Sequence, residues 1–560
     1  MRGPPVQQNV ALSARLRWSL LLIWLVSMPV LCLLYLKIAP SPDQAQFNYM
    51  GWMSTQGHPF YAGSFDMNWP GGMILHRLAI MLFGPTATAW HLFDFGLLMA
   101  TTMMAALFLR RAGFVLAPYV MLVLYPAIYV TAGGWMAGQR DIIAVGILIA
   151  ACCAMLAPVS REWRSMMLAG ALVAVAVLIR PTYLSFLVGL CLLELAPRRW
   201  IGHPRLERFP VRWNHLTIKK SRQTKSLERR SDPIRSKTAL AGPVARIGAL
   251  LLGFGAVMAA TAVAGLWIGN LDDFYQQTIL FTMSVYVGEP PLDMIQTGVE
   301  LLRSSHWMVL LGLIGLALWV RRTGRLEYPL LLLLGLSAAI ALSYVVQRKG
   351  FGYHLGGVLP LLILFVGIAF DEVRRFAIHT TLPPMARAIA SIALVGMVLL
   401  AAAGTAAKLI RHRAELLDLR HGLAPIGTYD KLGEEEQARL VGLMRSRTTP
   451  NDRVVLYGTA YQIPYLAQRL PAYRFITPAV EQMRPDFALY PAWKKEVEDG
   501  LRTHRPKLIL LMRDAVGSDP GAVRAVGANA RPVLGAIIAY MGDDYGIAFK
   551  GPFGVLYERK

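Results

Sequence analysis

The sequence predicts a polytopic α-helical membrane protein of about eleven transmembrane helices, followed by a soluble α/β portion. Three observations predict it. Hydrophobic residues make up 55% of the 560-residue chain, more than the apolar share of ordinary soluble domains. Apolar stretches of about 20 residues, the length that crosses a hydrocarbon core roughly 30 Å thick, recur until about residue 410. Beyond that point the composition becomes mixed and polar, with strand and helix signals in alternation. The expected division is a transmembrane catalytic domain over 1–408 and an extracytoplasmic α/β domain over 409–560.

The first apolar run, 19–36, follows Arg2, Arg15 and Arg17. It is long, and no small-residue cleavage site follows it, so it reads as an uncleaved signal anchor with its amino end in the cytoplasm. The spans expected are 17–38, 86–109, 114–132, 141–158, 164–180, 182–197, 243–268, 306–320, 327–346, 355–371 and 388–406. Basic residues test this count. Arg110/Arg111, Arg161/Arg164, the stretch 198–237, Arg321/Arg322/Arg325 and Arg374/Arg375/Arg387 all fall in alternate gaps, as cytoplasmic segments should. The C-terminal domain then lies outside, and the inner membrane is the expected location.

The formal net charge is +23, which invites a nucleic-acid reading. Its densest part, the cytoplasmic loop 198–238, carries thirteen Lys/Arg against three Asp/Glu between 198 and 237. That loop sits between two apolar spans, where positive charge sets topology and meets anionic lipid headgroups. Membrane lipids are expected partners; nucleic acid is not. All four cysteines (Cys32, Cys152, Cys153, Cys191) lie within apolar spans and read as small core hydrophobes.

The outer loop 39–85 is too long for a turn. Residues 43–56 and 70–83 read as short amphipathic helices lying along the membrane interface, with Trp52, Tyr61 and Trp69 as aromatic anchors. In the C-terminal domain, 453–457 and 507–512 have the pattern of buried strands. A helix is expected around 488–503, and 545–550 with 555–559 form a terminal hairpin.

Ionisable residues at a membrane rim are costly and so carry information. Asp43 stands just after the first span in Ser41-Pro42-Asp43-Gln44, and Asp141 opens the fourth span in Gly138-Gln139-Arg140-Asp141. Two carboxylates on one outer rim suit a general base and an electrostatic or metal-binding partner. Each also suits a helix cap, and Asp141 a pairing with Arg140. Arg180-Pro181-Thr182 and Gln347-Arg348-Lys349-Gly350-Phe351-Gly352-Tyr353-His354 place cations on the side where positive charge is disfavoured. They either pair with a lipid phosphate or snorkel to headgroups. His91 and Asp94 share a helix face and read as a buried hydrogen-bonded pair. His58 and Asp66 in the outer loop are candidates to touch substrate. No P-loop, G-x-S-x-G, H-E-x-x-H or C-x-x-C motif occurs, so ATP hydrolysis is not expected.

These residues also carry a resemblance. The acidic residue after the first span, the aromatic stretch ending Gly57-His58-Pro59-Phe60-Tyr61, Trp69-Pro70-Gly71-Gly72, Leu82-Phe83-Gly84, Gly138-Gln139-Arg140-Asp141 and Ile179-Arg180-Pro181-Thr182 together resemble the GT-C glycosyltransferases. The likeness is to the protein O-mannosyltransferase and lipid A aminoarabinose transferase group. The resemblance covers about 15–200 well and 345–370 more loosely. It implies inverting transfer of a sugar from a polyprenyl-phosphate donor to an extracytoplasmic glycan, lipid-linked or protein acceptor. Asp43 and Asp141 would be catalytic; Arg140, Arg180, Arg348, Lys349, Tyr353 and His354 would hold the donor phosphate; His58, Tyr61 and Asp66 would meet the acceptor or sugar. Protein mannosyltransferases carry an acidic pair in the first loop, whereas Gln44 follows Asp43 here. That departure weakens the case for a protein acceptor and for a carboxylate-bound metal; a divalent cation is the one cofactor left open. The competing classes are a transporter or flippase of lipid-linked sugars, with mid-membrane charges and repeats, a non-catalytic scaffold of envelope glycan assembly, and a polymerase or ligase moving whole oligosaccharides.

Overall fold

The computed structural model describes residues 5–157, 162–196, 242–268, 271–288, 293–378, 382–411, 433–513 and 531–560. The basic loop 198–238 lies outside the described residues.

A helix coincides with each expected span: α1 (Pro5–Leu36), α4 (Ala89–Arg111), α5 (Ala117–Val130), α6 (Arg140–Met155), α7 (Glu162–Ile179), α8 (Leu184–Leu195), α9 (Pro243–Ile268), α11 (His306–Thr323), α12 (Tyr328–Gln347), α13 (Val358–Ile378) and α14 (Pro384–Arg411). Among the described residues, seven helices are long and apolar enough to cross a bilayer. An eighth span results if α10 (Met294–Ser304) and α11, which meet at 82°, count as one. The chain is a polytopic helical membrane protein.

Helix contacts here rest on close backbone approach rather than on apolar burial, which lipid supplies equally well. A Cβ at Gly170 of α7 would fall 1.9 Å from the carbonyl oxygen of Leu250 in α9, and one at Gly253 would fall 1.9 Å from that of Met167. Charged clasps tie the helices together at one end. Buried Arg246 meets Glu162 at 3.3 Å and Glu194 at 2.9 Å, joining the start of α7, the end of α8 and the start of α9. Asp371 of α13 accepts from the backbone N–H of Leu116 and Ala117 at 2.7 and 3.3 Å, capping α5, and Arg374 pairs with it at 2.8 Å.

Two further helices, α2 (Pro42–Thr55) and α3 (Pro70–Phe83), occupy the expected outer loop. The apolar side chains expected of an interfacial helix are exposed on α3, at Leu78, Met81, Leu82 and Phe83. The interfacial reading fails for α2. Ten of the eleven positions from Gln44 to Ser54, all but Gln46, are buried, and Trp52 and Tyr61 are core residues rather than anchors. The cause is the C-terminal unit, which covers α2.

That unit comprises α15 (Glu434–Arg447), β1 (Val454–Tyr457), α16 (Gln462–Ala467), α17 (Tyr490–His504), β2 (Leu508–Met512), α18 (Pro532–Met541), β3 (Tyr545–Lys550) and β4 (Gly554–Arg559). Its sheet runs β1-β2-β4-β3, with β1 and β2 parallel and the other pairs antiparallel. Side chains alternate across a strand, and both faces here are covered. Val454, Leu456, Leu508 and Leu510 pack in one core with Tyr49, Met50, Met53 and Met73 of the outer loop. Val455, Tyr457, Ile509 and Leu511 pack in another with Phe65, Phe281 and Trp493. The outer loop and the sheet therefore share two cores.

Candidate active site

The site grows from the start of α2. Ser41 is its N-cap: the hydroxyl accepts from Gln44 N–H at 3.3 Å, and the Gln44 side chain accepts from Ser41 N–H at 3.3 Å. This capping box satisfies two orphan donors at once. Asp43 is thus not the cap, contrary to one reading of the sequence. Its carboxylate stands in the first turn, where the helix dipole favours negative charge. Gln44 has a definite task in place of the second acid: its amide donates to the carbonyls of Gly134 and Ala137 at 3.1 and 2.6 Å. With Gln139, which donates to Ser41 Oγ at 2.8 Å, it ties α2 to the loop before α6.

That loop delivers Arg140. The guanidinium is buried, approaches Asp43 at 3.4 Å and lies 4.7 Å from the centre of the Phe47 ring. Its path requires Gly72, where a Cβ would lie 3.0 Å from Arg140 Cδ, while Gly71 lets α3 approach the backbone of Leu178. The Trp-Pro-Gly-Gly motif is therefore a passage for this arginine. Among the described residues, Nε and Nη1 of Arg140 have no hydrogen-bond partner.

Asp141 takes a different partner from the Arg140 the sequence offered. Arg180, at the end of α7, grips it in a two-pronged pair at 2.9 and 2.5 Å, and Asp141 is fully buried. Such forked geometry fixes orientation strongly. It leaves the Asp141 carboxylate committed to a neighbouring cation.

The segment between α12 and α13 closes the rim. Lys349 is buried, donates to the Tyr286 carbonyl at 2.5 Å and sits 3.9 Å from the centre of that ring. Tyr353 stacks on Trp135 and Phe351 with centroids 5.7 and 5.5 Å apart. His354 is buried, with Nδ1 lacking a partner among the described residues, and feels the charges of Arg180 and Arg140. Arg348 is exposed, in a left-handed conformation (φ 51°) that ends α12. The Tyr286 hydroxyl is pushed up by burial and by Asp43, against the pull of Arg180 and Arg140. Sequence reasoning missed Tyr286, Trp135 and Phe47. Trp135 had a signal, as an aromatic beside Gly133-Gly134 at the same rim; Tyr286 lay in a gap read only as a connection.

The three outer-loop candidates separate. Asp66 is buried and accepts from Gln46 at 2.7 Å and from the Asn68 backbone and side chain, each at 2.6 Å. Burial raises its carboxyl above the ordinary range, while Arg140 and the Asn68 bonds act the other way. Tyr61 donates to the Asn68 carbonyl at 2.8 Å. Both brace the loop. His58 lies elsewhere, beside Arg453 of the C-terminal unit at 3.4 Å. The expected pairing of His91 with Asp94 does not occur. Tyr35 and Tyr129 donate to Asp94 at 2.5 and 2.7 Å, and the Tyr129 hydroxyl accepts from Gly138 N–H at 2.7 Å. Asp94 thereby supports the loop that carries Arg140.

Among the described residues, no three His, Cys, Asp or Glu side chains converge to form a metal group, and Asp43 faces a guanidinium rather than another carboxylate. The rim combines one accessible carboxylate, a buried guanidinium with open donors, a buried ammonium and an aromatic wall. Those groups suit proton acceptance beside an anion.

No protein-family model matches the chain, and no curated protein matches it. Solved structures do. The crystal structure of ArnT from Cupriavidus metallidurans bound to undecaprenyl phosphate is 14% identical, with a TM-score of 0.52, over 99% of this chain and 97% of that one. The apo oligosaccharyltransferase of Archaeoglobus fulgidus is 12% identical, with a TM-score of 0.50, over 96% of this chain and 74% of that one. At such identities the likeness is one of fold, and this chain has the fold of the GT-C membrane glycosyltransferases.

Proposed function

We propose that the chain is an inner-membrane glycosyltransferase that moves a sugar from a polyprenyl-phosphate donor to an acceptor hydroxyl on the outer face, with inversion. The observation that carries this reading is Arg140. A buried guanidinium with two unpartnered donor nitrogens bears the desolvation cost of each donor, and a phosphate oxygen is the partner that offsets it best. Undecaprenyl phosphate is the lipid bound by the ArnT structure that shares the fold. The alternate basic gaps support the orientation, with Arg321, Arg322, Arg374 and Arg375 cytoplasmic.

In this reading the Asp43 carboxylate accepts the acceptor's hydroxyl proton as the oxygen attacks the anomeric carbon. The bond from that carbon to the phosphate oxygen breaks, and its electron pair leaves with the polyprenyl phosphate. Arg140, with Lys349 and His354 beside it, stabilises the charge that develops there. Tyr353 and Trp135 offer an aromatic face to the sugar. Arg180 and Asp141 hold each other and keep α6 and α7 in register beneath the rim. The acceptor is a glycan or lipid-linked saccharide.

The test is turnover of a panel of polyprenyl-phosphate sugars by purified wild type and Asp43→Asn, both verified as folded. Loss of a general base predicts a fall of at least about a hundredfold. Equal turnover by the two proteins would remove Asp43 from the chemistry and overturn the mechanism.

A further inference from the structure

A cavity of about 300 Å³ opens where the loop after α2 meets the C-terminal unit. It lies at the small end of ligand-sized pockets. Three segments meet there: His58 from the loop after α2, Arg453 just before β1, and His504 at the end of α17. Arg453 approaches His58 Nε2 at 3.4 Å. A guanidinium only donates, so this ring nitrogen faces it as an acceptor and His58 is neutral. Among the described residues, no carboxylate pairs with Arg453. The acids on the facing wall are engaged or directed elsewhere. Glu496 meets Arg474 at 2.9 Å, and Asp499 meets Lys495 and Arg502 at 3.7 and 3.8 Å.

The pocket is therefore two-sided. One corner holds a guanidinium and two imidazoles with no balancing negative charge. Consistent with that, burial and Arg453 both hold His58 and His504 below the ordinary histidine range, and His58 feels His504 as well. The other wall is lined by Glu496 and Asp499, whose carboxylates have more lone-pair sites than their ion pairs use and so can also accept from hydroxyls. A cationic corner opposite carboxylate acceptors matches a molecule that has an oxyanion at one end and hydroxyls at the other.

We propose that this pocket binds an acidic sugar residue, with its carboxylate or phosphate against Arg453, His58 and His504. Where the rim is a transferase, this deepens that reading by naming acidic glycans as the acceptor class, but the binding stands apart from turnover. A strip of loop links the two places. Arg474 reaches the Tyr61 carbonyl at 3.4 Å, Gln277 donates to the same carbonyl at 2.8 Å, and Gln277 accepts from Asp66 N–H at 2.9 Å. This strip runs from the pocket wall to Asp66, which lies near enough to Arg140 of the rim to feel its charge.

The experiment is calorimetric titration of the full-length protein in detergent with glucuronate, glucose 6-phosphate, glucose and inorganic phosphate. Glucuronate or glucose 6-phosphate is expected to bind at least about tenfold more tightly than glucose, the margin of one charge-assisted hydrogen bond. The tighter of the two names the oxyanion. Arg453→Gln is expected to weaken it by about tenfold; His504→Gln, at an exposed position, weakens it several-fold and serves if the first variant fails to fold. Asp43→Asn leaves the binding unchanged, which separates this result from the fate of the transferase reading. Equal affinity for glucose, no loss in either pocket variant, or inorganic phosphate bound as tightly as the sugars would each overturn the proposal.

Discussion

At the scale of the residue, the rim contains two acid–base pairs with opposite character. Asp43 and Arg140 touch loosely at 3.4 Å, and Asp43 keeps access to solvent. Asp141 and Arg180 are locked together and buried. Removing one partner of a buried pair leaves an uncompensated charge, at about 3–5 kcal/mol. Asp141→Asn is accordingly expected to lower the melting temperature in detergent markedly. The double variant Asp141→Asn/Arg180→Gln should recover a large part of the loss. A single variant as stable as wild type would show that the pair does not brace α6 against α7. The sequence marked both acids as equals, because position relative to a span says nothing about which cation each will find. Spacing offered Arg140 as the partner of Asp141; adjacent residues in a helix point in different directions, and the fold supplied Arg180 instead.

At the scale of the element, the two glycines opening α3 make separable predictions. A Cβ at Gly71 would lie 2.6 Å from the Leu178 carbonyl carbon, which is backbone and cannot yield. Gly71→Ala should therefore fail to give stable protein. A Cβ at Gly72 would lie 3.0 Å from a methylene of Arg140, a flexible side chain that shifts instead. Gly72→Ala should melt near wild type but turn over roughly a hundredfold more slowly, the usual effect of a misplacement of about 1 Å. Equal melting of the two variants would count against this assignment. Helix positions were largely legible, since twenty-residue apolar runs have few alternatives in a bilayer. The strands 454–457 and 508–512 were legible too, from short apolar runs bounded by turns. The environment of α2 was not. Its apolar residues read as one face of an interfacial helix because the sequence does not announce what covers the other face.

At the scale of the whole molecule, the C-terminal unit completes the outer loop rather than hanging from it. Tyr49 donates to the Arg469 carbonyl at 2.7 Å, Tyr465 to that of Thr86 at 3.0 Å, and Phe65 N–H to that of Arg474 at 2.8 Å. Deleting 433–560 would expose the Met50, Met53 and Met73 cluster that the sheet now covers, an apolar patch of the kind that drives association. The truncated protein is expected to elute from size exclusion as large aggregates where wild type elutes as one species. A well-behaved truncated species would show that α2 is stable without its cover.

The same bond between Tyr49 and Arg469 spans 420 residues, and this separation has a temporal side. The ribosome delivers α2 first and its cover about 420 residues later. At roughly 5–20 residues per second, the wait is on the order of 20–80 s. Throughout that interval the first helices are already in the bilayer while the carboxylate-bearing turn lacks its roof. The nascent chain thus passes through a long immature stage, and the finished environment of α2 is set only once the C-terminal unit has emerged, not during insertion.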